Sequence, residues 1–380
     1  MGDYMRKRVI CIFILICALF IFPQKIHAEE TQTVVNQQLD RLRIEEIDDT
    51  ADELLEDSDF SFSQTVKDIV SGGWQFSFKD CITKIVGLVF SEIFGQIKLL
   101  RRIIFIAILC GFLKTLEDSF GGKTASELGF YVCYILLIYI VMASFYENSV
   151  MVAQTTDKLI LMLKEMLPAF LALMAASGRV VDSAVMAPLI MGAAMLISTL
   201  IQSMIVPAIG LTAMLEIANH ISDKGLLSNL SELMKTVISV CLKGCAFAFM
   251  GVTALQKTGA AGLNGMVTKT AKVAVGAVPV VGDIMSGAVE TAANFTGLLK
   301  GSVTVATVLL VAAMVMLPVI KLGVMFFIYK LAAAVIEPVS EPRLIKALNS
   351  AGDFSALLLG ALFVVAVMFV FSAIILLSAG

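Results

Sequence analysis

Apolar stretches of membrane-crossing length recur from residue 103 to the end of this chain, and they decide what it can fold into. A helix crosses a bilayer with about 20 predominantly apolar residues, or fewer where neighbouring helices bury it. Residues 128–146, 184–206, 236–255 and 355–379 meet that requirement, with Pro207 closing the second and Lys243 interrupting the third. Residues 103–116 form a shorter candidate. Residues 159–177 contain Lys164-Glu165 and Pro168, which predicts a bent or half-inserted helix. Residues 302–336 are too long for one upright span, and Pro318 and Lys321 in the middle predict a kink or two short spans. Counting that split segment once gives about seven membrane segments. Backbone polar groups in lipid must be satisfied within the segment, so the fold class is all-α, a polytopic helical membrane protein. The chain is 58% hydrophobic and 16% charged, with a mean hydropathy of +0.91, too little charge to cover a soluble domain of this length.

The N-terminus reads as an export signal. Arg6-Lys7-Arg8 form a positive n-region, residues 9–22 an uncharged core, and Ile26-His27-Ala28 ends in a small residue at a cleavage position. A signal anchor is the alternative, and it leaves the next segment on the same side of the membrane. That segment, residues 29–80, is an acidic extracytoplasmic arm. It holds fourteen Asp/Glu against four Lys/Arg, whereas residues 81–380 hold sixteen against twenty. An acidic arm on a mildly basic body does not suit nucleic-acid binding. It suits a solvated segment, or a partner with a basic face. Within it, Val35, Leu39 and Leu42, then Ile44, Ile47, Ala51 and Leu54, recur at helical spacing, and Phe62, Val66, Ile69 and Val70 predict a second short helix ended by Ser71-Gly72-Gly73. Of seven cysteines, only Cys81 stands clearly outside both the signal and the apolar body, so no extracytoplasmic disulfide framework is expected. Cys241 and Cys245 share a helix face and are read as packing residues.

Between arm and spans, Ile82, Ile85, Val86, Val89, Phe90, Ile93, Ile97 and Leu100 make one apolar stripe. Residues 81–100 are thus an amphipathic helix, lying either in the membrane interface or against the arm. Residues 101–255 are the first helix group and 302–380 the last. Residues 256–301 join them, rich in glycine and, with four Lys against two acids over 257–300, placed in the cytoplasm. A ten-residue apolar piece there, 273–282, contains Gly276, Pro279 and Gly282 and precedes Asp283. It is too short to cross, and reads as a re-entrant loop or a broken surface helix.

Few residues promise chemistry. Gly121-Gly122-Lys123-Thr124 resembles the end of a phosphate-binding loop, but position 117 is Glu where the motif needs Gly. Of the two histidines, His27 belongs to the signal, and His220 beside Asn219 and Asp223 does not make a zinc site. No catalytic residue, cofactor or metal is expected, and the chain is not read as an enzyme. The sharper hints are the charges inside spans, Lys243 and Lys321, which line a polar path, pair across helices, or simply snorkel to the interface, the last being the favoured reading for Lys321.

Two longer stretches carry a family resemblance. Asn264-Gly265-Met266-Val267, through Lys272 to Val278-Pro279-Val280-Val281-Gly282-Asp283 and 286–291, is one. Residues 329–338, Tyr-Lys-Leu-Ala-Ala-Ala-Val-Ile-Glu-Pro, with 345–352 and a last apolar span after them, are the other; residues 168–178 and the region of Pro188 also fit. Together they resemble the stage III sporulation protein AE family. The resemblance implies a role in endospore formation, in the mother-cell membrane around the forespore. It implies work beside the other stage III A-operon proteins, including a separate ATPase and ring-forming subunits, and the forespore's stage II sporulation protein Q, in a secretion-like apparatus or feeding channel. It supplies no catalytic residues.

Three functions compete: a membrane subunit of a multiprotein transenvelope channel, an autonomous transporter of a small solute or lipid, and a non-conducting scaffold. A self-sufficient transporter is expected to show an internal repeat, and none is evident.

Overall fold

The computed structural model describes residues 44–55, 61–73, 77–120, 123–176, 187–220, 227–259 and 281–378. The signal, the first part of the arm, and most of the Gly-rich connection, including Gly276 and Pro279, lie outside the described residues. Among the described residues every regular element is helical. In chain order they are α1 (Ile44–Leu54), α2 (Phe62–Val70), α3 (Phe78–Phe120), α4 (Lys123–Ala176), α5 (Ala187–Leu200), a π turn (Ile201–Ile205), α6 (Val206–Asn219), α7 (Ser228–Gly259), α8 (Val281–Ile336) and α9 (Pro342–Ser378).

Several expected breaks are not breaks. Pro168 sits inside α4, which runs 54 residues, so residues 128–146 and 159–176 are parts of one helix. Proline removes one helical hydrogen bond and crowds the carbonyl four residues back. Here Pro168 faces outward, while Leu163, Met166, Phe170 and Leu173 are buried on the other side. Pro318 is likewise carried within the 56-residue α8, whose Met314, Val315, Leu322 and Met325 are buried on either side of it. Pro207 does not end its span either. The π turn Ile201–Ile205 leads directly into α6, with Pro207 in the first helical positions, where its missing N–H costs least. The amphipathic stretch 81–100 continues without interruption into 103–116 as α3. Among the described residues, five helices are long and apolar enough to cross a membrane: Tyr131–Ala176, Ala187–Asn219, Ser228–Ala254, Gly297–Ile336 and Pro342–Leu377. The count falls from seven because two segments merged in α4 and because Arg101, Arg102 and Lys114 charge the later half of α3.

The long helices run up and down around a shared interior. Helices α8 and α9 form a hairpin, and α3 and α4 form another, packed on α8. Helices α5 and α6 lie against α4 and α9, and α7 closes the outside against α5, α6 and α9. One core cluster lies toward the arm, around Phe170, Ala306, Leu310, Phe354 and Leu362. A second lies toward the two hairpin turns, around Ile103, Tyr134, Tyr329 and Leu344.

The arm is docked. Ile47, Ala51, Phe62 and Val66 are buried in the first cluster, with α1 on α4 and α2 on α8. Asp48 caps α2, its carboxylate accepting from the backbone N–H of Phe62 and, at 3.1 Å, of Ser63. Lys158 of α4 donates to the Leu54 carbonyl at 3.0 Å, closing the last turn of α1. Asp49, Asp52 and Glu53 face outward, so the solvated acidic face expected of the arm is present on α1.

At the opposite end, Gly111 of α3 meets the α8–α9 turn. A Cβ there would overlap the carbonyl oxygen of Val339. Only glycine lets the helix approach so closely, and it does so beside the Glu337-Pro338 turn.

Candidate functional site

The described polar side chains converge most densely where α6 ends, α7 begins and α9 passes them. The sequence makes this junction by running α6 to its C-terminus at Asn219 and reversing the chain within a few residues. Asn219 ties the reversal shut: its Oδ1 accepts from Leu227 N–H at 2.9 Å and its Nδ2 donates to Ser228 Oγ at 2.8 Å. The α7 helix then returns antiparallel beside α6. This brings Lys235 opposite Glu216, with Nζ 2.6 Å from Oε1. Ser350 of α9 donates to the same Oε1 at 2.6 Å, and Ser231 of α7 donates to Oε2 at 3.1 Å. Lys235 Nζ also lies 4.6 Å from the centre of the Phe354 ring, a cation–π contact. The Glu216 side chain is 12% exposed and that of Lys235 28%. Every carboxylate oxygen therefore has a donor, the condition under which a desolvated ion pair is tolerable.

His220 extends the junction. Its Nε2 is 3.3 Å from Ser350 Oγ. Serine, histidine and a carboxylate thus stand in contact, but not in the order a nucleophile needs. In an activated serine the histidine takes the hydroxyl proton and the acid orients the histidine. Here the Ser350 proton is committed to Glu216, so Ser350 accepts from His220 Nε2–H and the imidazole has no free Nε2 lone pair with which to act as base. The arrangement is a structural clasp joining three helices. Half-burial of His220 holds its pKa below the usual histidine value; Glu216 opposes that shift, and Lys346 and Lys235 reinforce it.

A second clasp joins α8 to α9. Lys330 Nζ is 2.9 Å from Asp353 Oδ1 and donates to the Asn349 carbonyl at 3.1 Å. The lysine stem lies on Gly352, where an added Cβ would stand 3.1 Å from Cε.

No motif or spacing singles out Glu216, Lys235 or Asp353, and Lys330 and Ser350 fall within the stretches of the family resemblance without a role assigned to them. A signal for the first was nevertheless present: Glu216 is a lone acid at the end of a long apolar run, with Lys235 one short turn and two helical turns further on. The residues that the sequence does single out do not converge. Lys243 lies on the outward face of α7, among Val240, Phe247 and Met250, which are also exposed, so among the described residues it lines no interior path. It stands near the centre of the Ser228–Ala254 span, about 16 Å from the nearer end at 1.5 Å per residue. A lysine at that depth costs roughly 2.5–3.5 kcal/mol on insertion scales. Lys321 is half-buried within α8. Gly282 and Asp283 occupy the first turn of α8 rather than a loop. Cys241 is exposed and Cys245 half-buried on α7. Among the described residues, no three His, Cys, Asp or Glu side chains gather as a metal site would require.

The profile of the stage III sporulation protein AE family matches residues 60–380, the whole membrane body together with α2. The chain belongs to the stage III sporulation protein AE family. The stage III sporulation protein AE of Bacillus subtilis (strain 168) is 27% identical over 317 residues, covering 83% of this chain and 79% of that protein. No solved structure matches. Membership assigns this multi-pass protein a role in sporulation. Two of the family stretches named from sequence have places among the described residues. Residues 329–338 end α8 and enter the turn against Gly111, and 345–352 carry Ser350 and Asn349 of the two clasps.

Proposed function

We propose that this protein is a membrane-embedded subunit of the transenvelope channel or secretion-like apparatus that joins mother cell and forespore, acting in the mother-cell membrane. The observation that carries this reading is the family match across the entire membrane body. The structure adds support of two kinds. Its charged clasps lie between helices and hold them together, which suits a rigid subunit. Its docked arm presents Asp49, Asp52 and Glu53 at one end of the bundle, a face suited to a basic partner in the space between the membranes. The partners proposed are the other stage III A-operon proteins, including the ATPase and the ring-forming subunits, and stage II sporulation protein Q. No catalytic step is assigned to this chain.

The test is a gentle detergent pull-down of the tagged protein from sporulating cells, with mass spectrometry of the proteins that co-purify. Co-recovery of the ATPase and ring proteins supports the reading. Recovery of the protein alone, with those subunits solubilised in the flow-through, defeats it and brings the autonomous transporter forward. Removing residues 31–80 is a poor probe of the arm, because it would uncover the core that Ile47 and Phe62 fill. Reversing Asp49, Asp52 and Glu53 to lysine leaves that core intact, and loss of the ring proteins from the pull-down is the expected result.

A further inference from the structure

Two charges face outward from the bundle near the middle of its depth, one of each sign. Lys243 stands on α7 between Val240 and Phe247, and Glu147 stands on α4 beside Tyr146, all exposed. Among the described residues neither is held in an ion pair.

The contacts between helices fix their relative depth. Helices α4 and α6 are antiparallel: Tyr134 donates to the Ile217 carbonyl at 3.4 Å, and Gln202 donates to the Ala153 carbonyl at 3.4 Å. Between these, the Phe145 ring lies 3.9 Å from where a Cβ on Gly210 would stand. Glu147, two residues past Phe145, is therefore level with residues 204–208 of α6. Helices α6 and α7 are antiparallel through Glu216 and Lys235, so Lys243, eight residues past Lys235, is level with residue 208. The two charges share one depth to within about one helical turn, ~5 Å. That level falls well inside the Ala187–Asn219 span.

We propose that this face of α7 docks against the outward face of α4 of a second copy of the chain, with Lys243 of one copy paired to Glu147 of the next. Copies inserted in the same membrane with the same orientation hold equivalent residues at equal depth. Any neighbour thus presents Glu147 at the level of Lys243 without tilting. Each charge then exchanges lipid for a partner of opposite sign, which is how ionisable groups inside membranes are ordinarily held. A two-fold contact of α7 on α7 would instead bring two Lys243 ammonium groups together, so the contact is head-to-tail. Such contacts close into a ring when the rotation allows and otherwise form a row. The proposal needs the membrane reading alone, and stands or falls separately from the channel assignment.

The test uses the full-length chain with its native cysteines replaced by serine, expressed in membranes as two differently tagged copies. One copy carries Glu147→Cys and the other Lys243→Cys, and a short bifunctional maleimide is added. The expected result is an adduct of two chains carrying both tags, with none between two Lys243→Cys copies. An adduct confined to Lys243→Cys pairs, one joining Lys243→Cys only to a different protein, or no adduct overturns the proposal. Co-purification of the two tagged copies of otherwise native sequence gives a second readout. Lys243→Glu abolishes it and Lys243→Glu with Glu147→Lys restores it; failure of the swap to restore it, while each variant melts as a folded protein, also overturns the proposal.

Discussion

The α6–α7–α9 clasp and the outward pair Lys243 and Glu147 place the same kinds of charge in opposite circumstances. At the clasp, Glu216 is met by Lys235, Ser231 and Ser350, and Lys235 by Phe354 as well. At mid-depth, Lys243 faces outward among exposed apolar side chains and Glu147 faces outward beside the exposed Tyr146. The contrast separates two uses of charge in a membrane bundle. A charge met inside its own chain fixes how helices pack. One left on the outer face is costly to a lone chain and becomes favourable once a neighbour answers it. Substitutions in the two places are accordingly expected to fail in different assays.

The largest effect is expected at the clasp. Lys235→Ala leaves the Glu216 carboxylate largely buried without its cation, and breaking a buried pair in this way typically costs about 3–5 kcal/mol. Thermal unfolding of the detergent-solubilised protein measures it. The joint replacement Glu216→Gln with Lys235→Met removes both charges and is expected to cost far less than Lys235→Ala alone. If the two variants melt together, the clasp is not an ion pair in the sense described.

The next effect belongs to the same end of the bundle. Gly111→Ala drives a methyl group into the Val339 carbonyl, and forcing extra volume into a packed contact costs typically about 1–3 kcal/mol. The control is Gly244→Ala on the outward face of α7, where nothing lies within 4 Å of an added Cβ. That substitution is expected to leave the melting temperature unchanged or to raise it, since alanine is the better helix former. Equal loss in both would remove the distinction between packed and open faces.

Smaller still in stability is the effect of Lys243→Met. It takes a charge away from the outer face, so the isolated chain is expected to melt at the same temperature or slightly higher, within about 0.5 kcal/mol for a surface site. Co-purification of two tagged copies should nevertheless be lost. A loss of stability as large as that of Lys235→Ala would mean that Lys243 has a partner inside its own chain.

These cases also show which parts of the molecule can be read from sequence. The all-α membrane class was legible because lipid leaves a chain so few ways to satisfy its backbone. The arm helices were legible because Ile47, Ala51, Phe62 and Val66 recur at helical spacing. Pro207 was misread as the end of its span, and at Pro168 and Pro318 the helix runs on, because a proline's local cost says nothing of the packing on both sides that carries the helix through. Of the clasp, only Glu216 left a signal in the sequence. Glu216, Lys235 and Ser350 lie far apart in sequence, and only the reversal at Asn219 and the return of α9 bring them together. Lys243 was noticed for its position in a span, but the sequence could not say which way it faced.

The smallest expected effect is a pH dependence at His220, where the clasp meets the end of the Ala187–Asn219 span. Among the described residues, the charged groups facing the ring are Glu216 from α6, Lys235 from α7 and Lys346 from α9. Half-burial dominates and holds the folded-state pKa below the unfolded value of about 6.5. The folded state therefore binds fewer protons than the unfolded state as the pH falls through that value. Stability is full at pH 7.5 and declines as the solution is acidified below about 6.5, until the folded-state histidine is protonated too. Carboxylates contribute their own losses at lower pH, so the comparison is with His220→Gln, which retains a hydrogen-bond donor toward Ser350 but cannot titrate. The difference in melting temperature between the two proteins should change between pH 7.5 and 5.5, the native chain losing more. If the two curves run parallel across that range, the ring is either protonated throughout or solvated well enough not to notice the clasp. The contact with Ser350 would then be incidental to the junction of α6, α7 and α9.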